Sequence, residues 1–243
     1  MDKVLLVTGA SSDVGVELIR RIYRDYRMIW CQYRSMNEKL ESLMRDIGSE
    51  TAIQGIEADF SVPGAAGDLI ERIRKSSILP NHIVHLPAPK LYNKQFHKDS
   101  WDNTEAGWEI SVHSVSDILR AFIPDMMKTR YGRVVFMLTS NTVGIPAKYQ
   151  SSYVTVKYAL LGLMKALSAE YADKGITFNG VSPDMMETGF LQNLPDLIIE
   201  QNAANSPLGR NIRIDEVIPV IEYMLSDRGA AMTGQNIAIT GGI

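Results

Sequence analysis

The chain has 243 residues, 45% hydrophobic and 22% charged, with a formal net charge of −3, a composition that fits one ordinary globular domain. No dense Lys/Arg block is present, which argues against nucleic acid or an anionic membrane as partner and leaves a small molecule as the expected one. The single cysteine, Cys31, excludes an intramolecular disulfide, and neither a basic leader nor an apolar run of about 18 residues occurs, so a cytoplasmic location is expected.

In chain order, short β-branched or apolar runs at 4–8, 28–33, 51–58, 82–86, 134–138, 177–181 and 236–239 predict seven strands. Segments of helical period at 16–26, 36–47, 63–76, 107–129, 149–172 and 215–225 fall between most of them, with Gly48, Gly132 and Gly175 where helices should stop. This alternation predicts a parallel sheet covered by helices on both faces, with ligands bound beyond the carboxyl ends of the strands. No linker divides the chain, so residues 1–243 are expected to form one domain. The stretch 183–210 has no clear period yet carries Met185, Met186, Phe190 and Leu191; its part at about 184–210 is expected to cover the substrate as a loop or lid.

The first strand runs directly into Thr8-Gly9-Ala10-Ser11-Ser12-Asp13-Val14-Gly15 and then a helix. Glycine lets backbone approach phosphate, and the helix start offers unpaired N–H groups to it. Farther on, Tyr153 and Lys157 are four apart in a predicted helix, hence one turn apart on one face. A phenol beside an ammonium can donate a proton to an alkoxide, although that spacing alone also arises by chance on amphipathic helices. The four histidines do not form a metal site: His82 and His85 are three apart on a strand and face opposite ways, and His97 and His113 lack a ligand at suitable spacing.

Taken together, these motifs resemble the short-chain dehydrogenase/reductase family over nearly the full length, with 3-oxoacyl thioester reductases the nearest in character. The resemblance implies a Rossmann-like three-layer α/β/α sandwich with a seven-stranded parallel sheet, and an NAD(P)-dependent reduction of a carbonyl group. It implies Tyr153 as general acid, Ser140 as the hydroxyl that orients the carbonyl, and Lys157 as the group that lowers the phenol pKa and holds the nicotinamide ribose. Thr139 is the alternative to Ser140, because the strand before it is one residue longer than usual. Ser111 falls where the family has an asparagine whose backbone holds a water linking the lysine to solvent.

The implied cofactor contacts are Gly9, Ser11, Ser12, Asp13, Val14 and Gly15 of the glycine loop, Asp59 and Phe60 at the adenine, and Pro87 and Ala88 on the wall. Pro183, Met186 and Thr188 complete them at the carboxamide, with Tyr153 and Lys157. At the end of the second strand no acid is present to meet a ribose 2′-hydroxyl, and Arg34 with Ser35 stands where a 2′-phosphate would be gripped. NADP(H) is therefore expected over NAD(H). Asp13, Asp184, Leu86-Pro87-Ala88-Pro89 and Ser111 depart from the family pattern, and Asp13, Leu86-Pro87-Ala88-Pro89 and Ser111 motivate the alternative of a dinucleotide-binding sensor or structural protein without catalysis. A homodimer or homotetramer is the implied assembly.

Overall fold

The computed structural model describes residues 2–242. Its strands are β1 (Val4–Thr8), β2 (Met28–Tyr33), β3 (Ala52–Glu57), β4 (His82–His85), β5 (Gly132–Met137), β6 (Ile176–Pro183) and β7 (Asn236–Ile239). They form one parallel sheet in the order β3-β2-β1-β4-β5-β6-β7, so the chain changes direction of travel between β1 and β4. The carboxyl ends of β1 and β4 therefore diverge into a crevice, the place where such sheets bind ligands.

Successive residues of a strand face opposite sides, and both sides are apolar here. Val4, Leu6, Trp30, Ile83, Val134, Phe136 and Phe178 pack into one core layer. It lies against α3 (Ala65–Ser76), α5 (Ser114–Thr129) and α6 (Ser151–Tyr171). Leu5, Val7, Ile29, Cys31, Val84, Val135 and Val181 pack into the other, against α1 (Asp13–Ile22), α2 (Glu38–Ile47) and α8 (Ile214–Leu225). Fully burying one such side chain contributes about 1.5–3 kcal/mol. Two caps fix the helices nearest the crevice: Ser12 Oγ accepts from Gly15 N at 3.1 Å, and Asn37 Oδ1 accepts from Leu40 N at 2.9 Å.

Two parts of the chain differ from the sequence expectation. The predicted helix 107–129 begins earlier, as α4 (Trp101–Trp108), and passes through a π-helical turn at Glu109–His113 before α5. Ser100 caps α4 by accepting from Asp102 N, while the exposed Trp101 and Trp108 break the apolar stripe by which a helix is recognised. Within the aperiodic stretch lies another helix, α7 (Asp196–Asn205), with no buried stripe of its own. Among the described residues no helix is long and apolar enough to cross a membrane.

At the amino end of the sheet His82 is buried between two tyrosines, with Tyr26 Oη 2.8 Å from Nδ1 and Tyr131 Oη 3.1 Å from Nε2. Tyr131 in turn donates to Asp227 at 2.8 Å. Burial lowers the His82 pKa from 6.5 to about 3, with the charges of Lys3 and Arg133 adding to the effect. The unfolded chain takes up this proton below pH 6.5 and the folded chain does not, so the stability present above that value is lost as pH falls toward 3. The unfolding free energy of His82→Gln should accordingly fall less steeply than wild type between neutral and acid pH, as read by urea titrations at each pH.

Candidate active site

A cavity of about 860 Å³ opens at the carboxyl edge of the sheet, lined by the glycine loop at one end and by Tyr153, Thr139 and Asp184 at the other. Gly9 has φ +72° and lies against Leu86 and Pro87, while a side chain at Gly15 would sit 2.7 Å from the Ala10 carbonyl oxygen. Both positions thus require glycine for the tight turn into α1. Gln32 anchors that turn: its Oε1 accepts from Gly9 N at 2.8 Å and its Nε2 donates to Ala58 O at 2.7 Å. The start of α1 faces the cavity, so the loop fits the pyrophosphate of a dinucleotide.

Asp13 takes part in this fit in a way the sequence did not show. Lys39 Nζ lies 2.6 Å from its Oδ1, and the Gly189 backbone N–H donates to its Oδ2 at 2.8 Å. Burial opposes the charge, but these two partners outweigh it and hold the carboxyl below its ordinary range. The carboxylate is therefore paired, and it ties the glycine loop to the segment over the cavity.

Tyr153 and Lys157 lie one turn apart on α6, the Lys157 Nζ 5.8 Å from the centre of the Tyr153 ring. That ammonium is buried and donates to Met137 O at 2.7 Å. Here the expected depression of the phenol is corrected: burial raises the Tyr153 pKa from 10.0 to about 12, and burial lowers that of Lys157 from 10.5 to about 7. The physical reason is that Nζ turns to the strand carbonyl, leaving desolvation as the dominant influence on both groups.

The two adjacent hydroxyls have different partners. The Thr139 side chain is the one that acts on the Tyr153 hydroxyl, favouring its ionised form against the larger effect of burial. Ser140 instead donates to Asp184 Oδ1 at 3.0 Å, whose Oδ2 accepts from Asn202 Nδ2 at 3.0 Å. Leu91, Leu191 and Leu194 are buried over this end, with Tyr153, Met185 and Ile198 packed against them, and the Phe190 ring centre is 6.1 Å from that of Tyr153.

Most of the other expected residues converge here: Ser11, Ser12, Val14, Pro87, Ala88, Pro183, Met186 and Thr188 all line the cavity. Arg34, Ser35, Asp59 and Phe60 are outside its lining. Phe60 is buried in the core, and Asp59 accepts from the backbone and hydroxyl of Ser61. Ser111 is buried beneath the cavity wall, its Oγ donating to Pro87 O at 3.3 Å. Its carbonyl oxygen lies 2.9 Å from His85 Nε2, and Thr8 Oγ1 lies 2.8 Å from His85 Nδ1. A carbonyl only accepts, so Nε2 carries the proton and Nδ1 accepts from Thr8. Gln32, Lys39 and Asn202 were not singled out from the sequence, and His85 was weighed there only as a metal ligand; a polar residue in an otherwise apolar strand, at Gln32 and His85, was the available signal.

A family model described as Enoyl-(Acyl carrier protein) reductase matches residues 21–243. The chain belongs to the short-chain dehydrogenase/reductase family. As a member it is an NAD(P)-dependent oxidoreductase. It is 25% identical over 249 residues to the 3-oxoacyl-[acyl-carrier-protein] reductase FabG of Staphylococcus aureus (strain Mu50 / ATCC 700699), covering 100% of this chain and 98% of the relative. It is 23% identical to the D-beta-hydroxybutyrate dehydrogenase of Rhizobium meliloti (strain 1021), with the same coverage. The fold is shared with a 3-oxoacyl (acyl-carrier-protein) reductase from Agrobacterium tumefaciens C58 with NADP bound, at a TM-score of 0.87 and 22% identity over 99% of this chain and 94% of that one.

The buried ammonium has a measurable consequence in this oxidoreductase. Between pH 7 and 10.5 the unfolded chain holds the Lys157 proton that the folded chain has given up, so this group makes stability rise with pH across that window. Removing it in Lys157→Met should flatten the rise, measured as Tm from pH 7 to 9.

Proposed function

We propose that the protein reduces a ketone with NADPH, and that Tyr153 delivers the proton. The observation that carries this reading is that Tyr153, Lys157 and the hydroxyls of Thr139 and Ser140 line one cavity with the glycine loop. NADPH, when bound, supplies the hydride. The chain's own residues then have to hold the carbonyl and provide a proton at its oxygen.

A phenol with its pKa raised to about 12 stays protonated at neutral pH. It gives up its proton only to a base as strong as a newly formed alkoxide, which suits the reductive direction. A hydroxyl has one proton to donate. Ser140 commits that proton to Asp184, whereas Thr139 accepts from Asn141 N at 3.4 Å and keeps its own for the Tyr153 oxygen or the substrate carbonyl. Thr139 is thus the orienting hydroxyl, and Ser140 supports Asp184. Lys157, one turn from Tyr153, holds the ribose in this reading.

Preference for NADPH is supported by Lys39, which lines the cavity beside Ser11 and Asn37, together with Arg34 at the end of β2. The pairing of Asp13 with Lys39 offsets a negative charge beside the phosphate site, one of the departures that motivated the sensor alternative. A 3-oxoacyl thioester, the substrate class named for the relatives, suits the apolar cover of Leu91, Leu191 and Phe190 and is the first substrate to try.

Tyr153→Phe should lower kcat by roughly 10²–10⁴-fold, the usual contribution of a positioned general acid, with NADPH affinity retained in a fluorescence titration. Thr139→Ala should lose more kcat than Ser140→Ala; the reverse order would return the orienting role to Ser140. Asp substitutions at Arg34 and Lys39 together should weaken NADPH about tenfold more than NADH, the order of one charge-assisted hydrogen bond, and equal weakening of both cofactors would defeat the preference.

A further inference from the structure

We infer that Asp184 sets the charge of the substrate. The carbonyl compound is uncharged or cationic beside its reacting carbon, a hydrogen-bond donor on it being favoured by this carboxylate, and an anionic compound is rejected. This rests on the reduction reading above and narrows it to a class.

Asp184 follows the last residue of β6, and its backbone N–H donates to Ile239 O at 3.0 Å, so the strand fixes where the carboxylate stands. It lines the same cavity as Tyr153 and Thr139, and its Ser140 partner is the neighbour of Thr139 in the chain. A carboxylate offers about four acceptor positions. Ser140 and Asn202 use one on each oxygen, which leaves capacity on both oxygens for a donor of the substrate.

No cation neutralises it. Among the described residues its side-chain partners are a hydroxyl and an amide. The two lysines that line the cavity are engaged elsewhere: Lys39 with Asp13 at the glycine-loop end, and Lys157 with Met137 O beneath the phenol. The rest of the lining at this end is uncharged: Met185, Phe190 and Leu191 are apolar, which weakens solvent screening, and Asn141 and Gln150 are neutral amides bonded to each other. A substrate carboxylate would therefore meet a like charge with no counter-ion, whereas an amide N–H, a hydroxyl or an ammonium would complete the hydrogen bonding of Asp184.

Three compounds with the same 3-oxo carbon test this: acetoacetamide, ethyl acetoacetate and acetoacetate. The kcat/KM of wild type with NADPH should be highest for the amide and lowest for the anion, the extremes differing by about tenfold or more, as expected for one like-charge contact in a partly dry site. Asp184→Asn should raise acetoacetate relative to the amide and shrink that ratio. Acetoacetate equal to or better than the amide in wild type, or a ratio unmoved by Asp184→Asn, overturns the inference. The wild-type order needs no variant, so a poorly folded Asp184→Asn leaves the test intact. Ligand-observed NMR on the complex with NADP⁺ gives the same ranking as binding. The amide binding above the anion without turnover of any compound would count against reduction and support Asp184; turnover with the order reversed would do the opposite, and failure of all three to bind would overturn the role of Asp184.

Discussion

A row of buried hydrogen bonds across the carboxyl edge of the sheet holds the site in place. Thr8 is in register with Gln32 on one side and His85 on the other, so three polar side chains meet at the level where the glycine loop leaves β1. Gln32 fastens the loop to the end of β3, and His85 carries the connection from Thr8 to the carbonyl of Ser111 in the π-helical turn. Each of these groups is buried and would be costly if left unpaired. The loop and the turn are consequently fixed relative to one another by strand register, and with them the floor of the cavity. The His85 pKa, lowered to about 3 by burial with the Lys157 charge adding to it, keeps the imidazole neutral and its donor and acceptor roles constant.

The two carboxylates that depart from the family pattern act as fasteners on the other side of the cavity. Asp13 reaches the backbone of Gly189, and Asp184 reaches Asn202 on α7. The covering segment is thereby attached at both ends, over the glycine loop and over Ser140, and its apolar residues are pressed onto Tyr153. That cover dries the region around the phenol and the ammonium. Desolvation then moves their two pKa values apart, the phenol upward and the ammonium downward. An acid that holds its proton firmly and a base that is readily neutralised are properties of this environment, not of the residue types.

Much of the architecture was legible because its signals are local. Seven apolar runs separated by helical segments give a parallel sheet from periodicity alone, and the glycine loop between strand and helix needs only its immediate neighbours to be recognised. Helix 101–129 was read short because Trp101 and Trp108 are exposed, and its π-helical turn was invisible because the partner of the Ser111 carbonyl is His85, a residue 26 positions away. Helix α7 escaped for a similar reason, since its contacts are with Asp184, Asn211 and the leucine cluster rather than along a stripe of its own. Arg34, Ser35, Asp59 and Phe60 were read from motif position and lie outside the cavity lining, whereas Lys39, which no motif marks, is part of it.

The sequence by itself determined the family, the strand and helix alternation, and the one-turn separation of Tyr153 and Lys157, because each depends on residue type and spacing along a regular element. Tertiary structure decided that Ser140 is bonded to Asp184, that Asp13 is paired with Lys39, and which way the central pKa values move. Those outcomes turn on contacts between residues such as Ser140 and Asp184, 44 positions apart, or Asp13 and Gly189, 176 apart, and on burial. Neither distance nor dielectric is encoded in a local run of residues; both exist only once the sheet has brought distant segments to one edge.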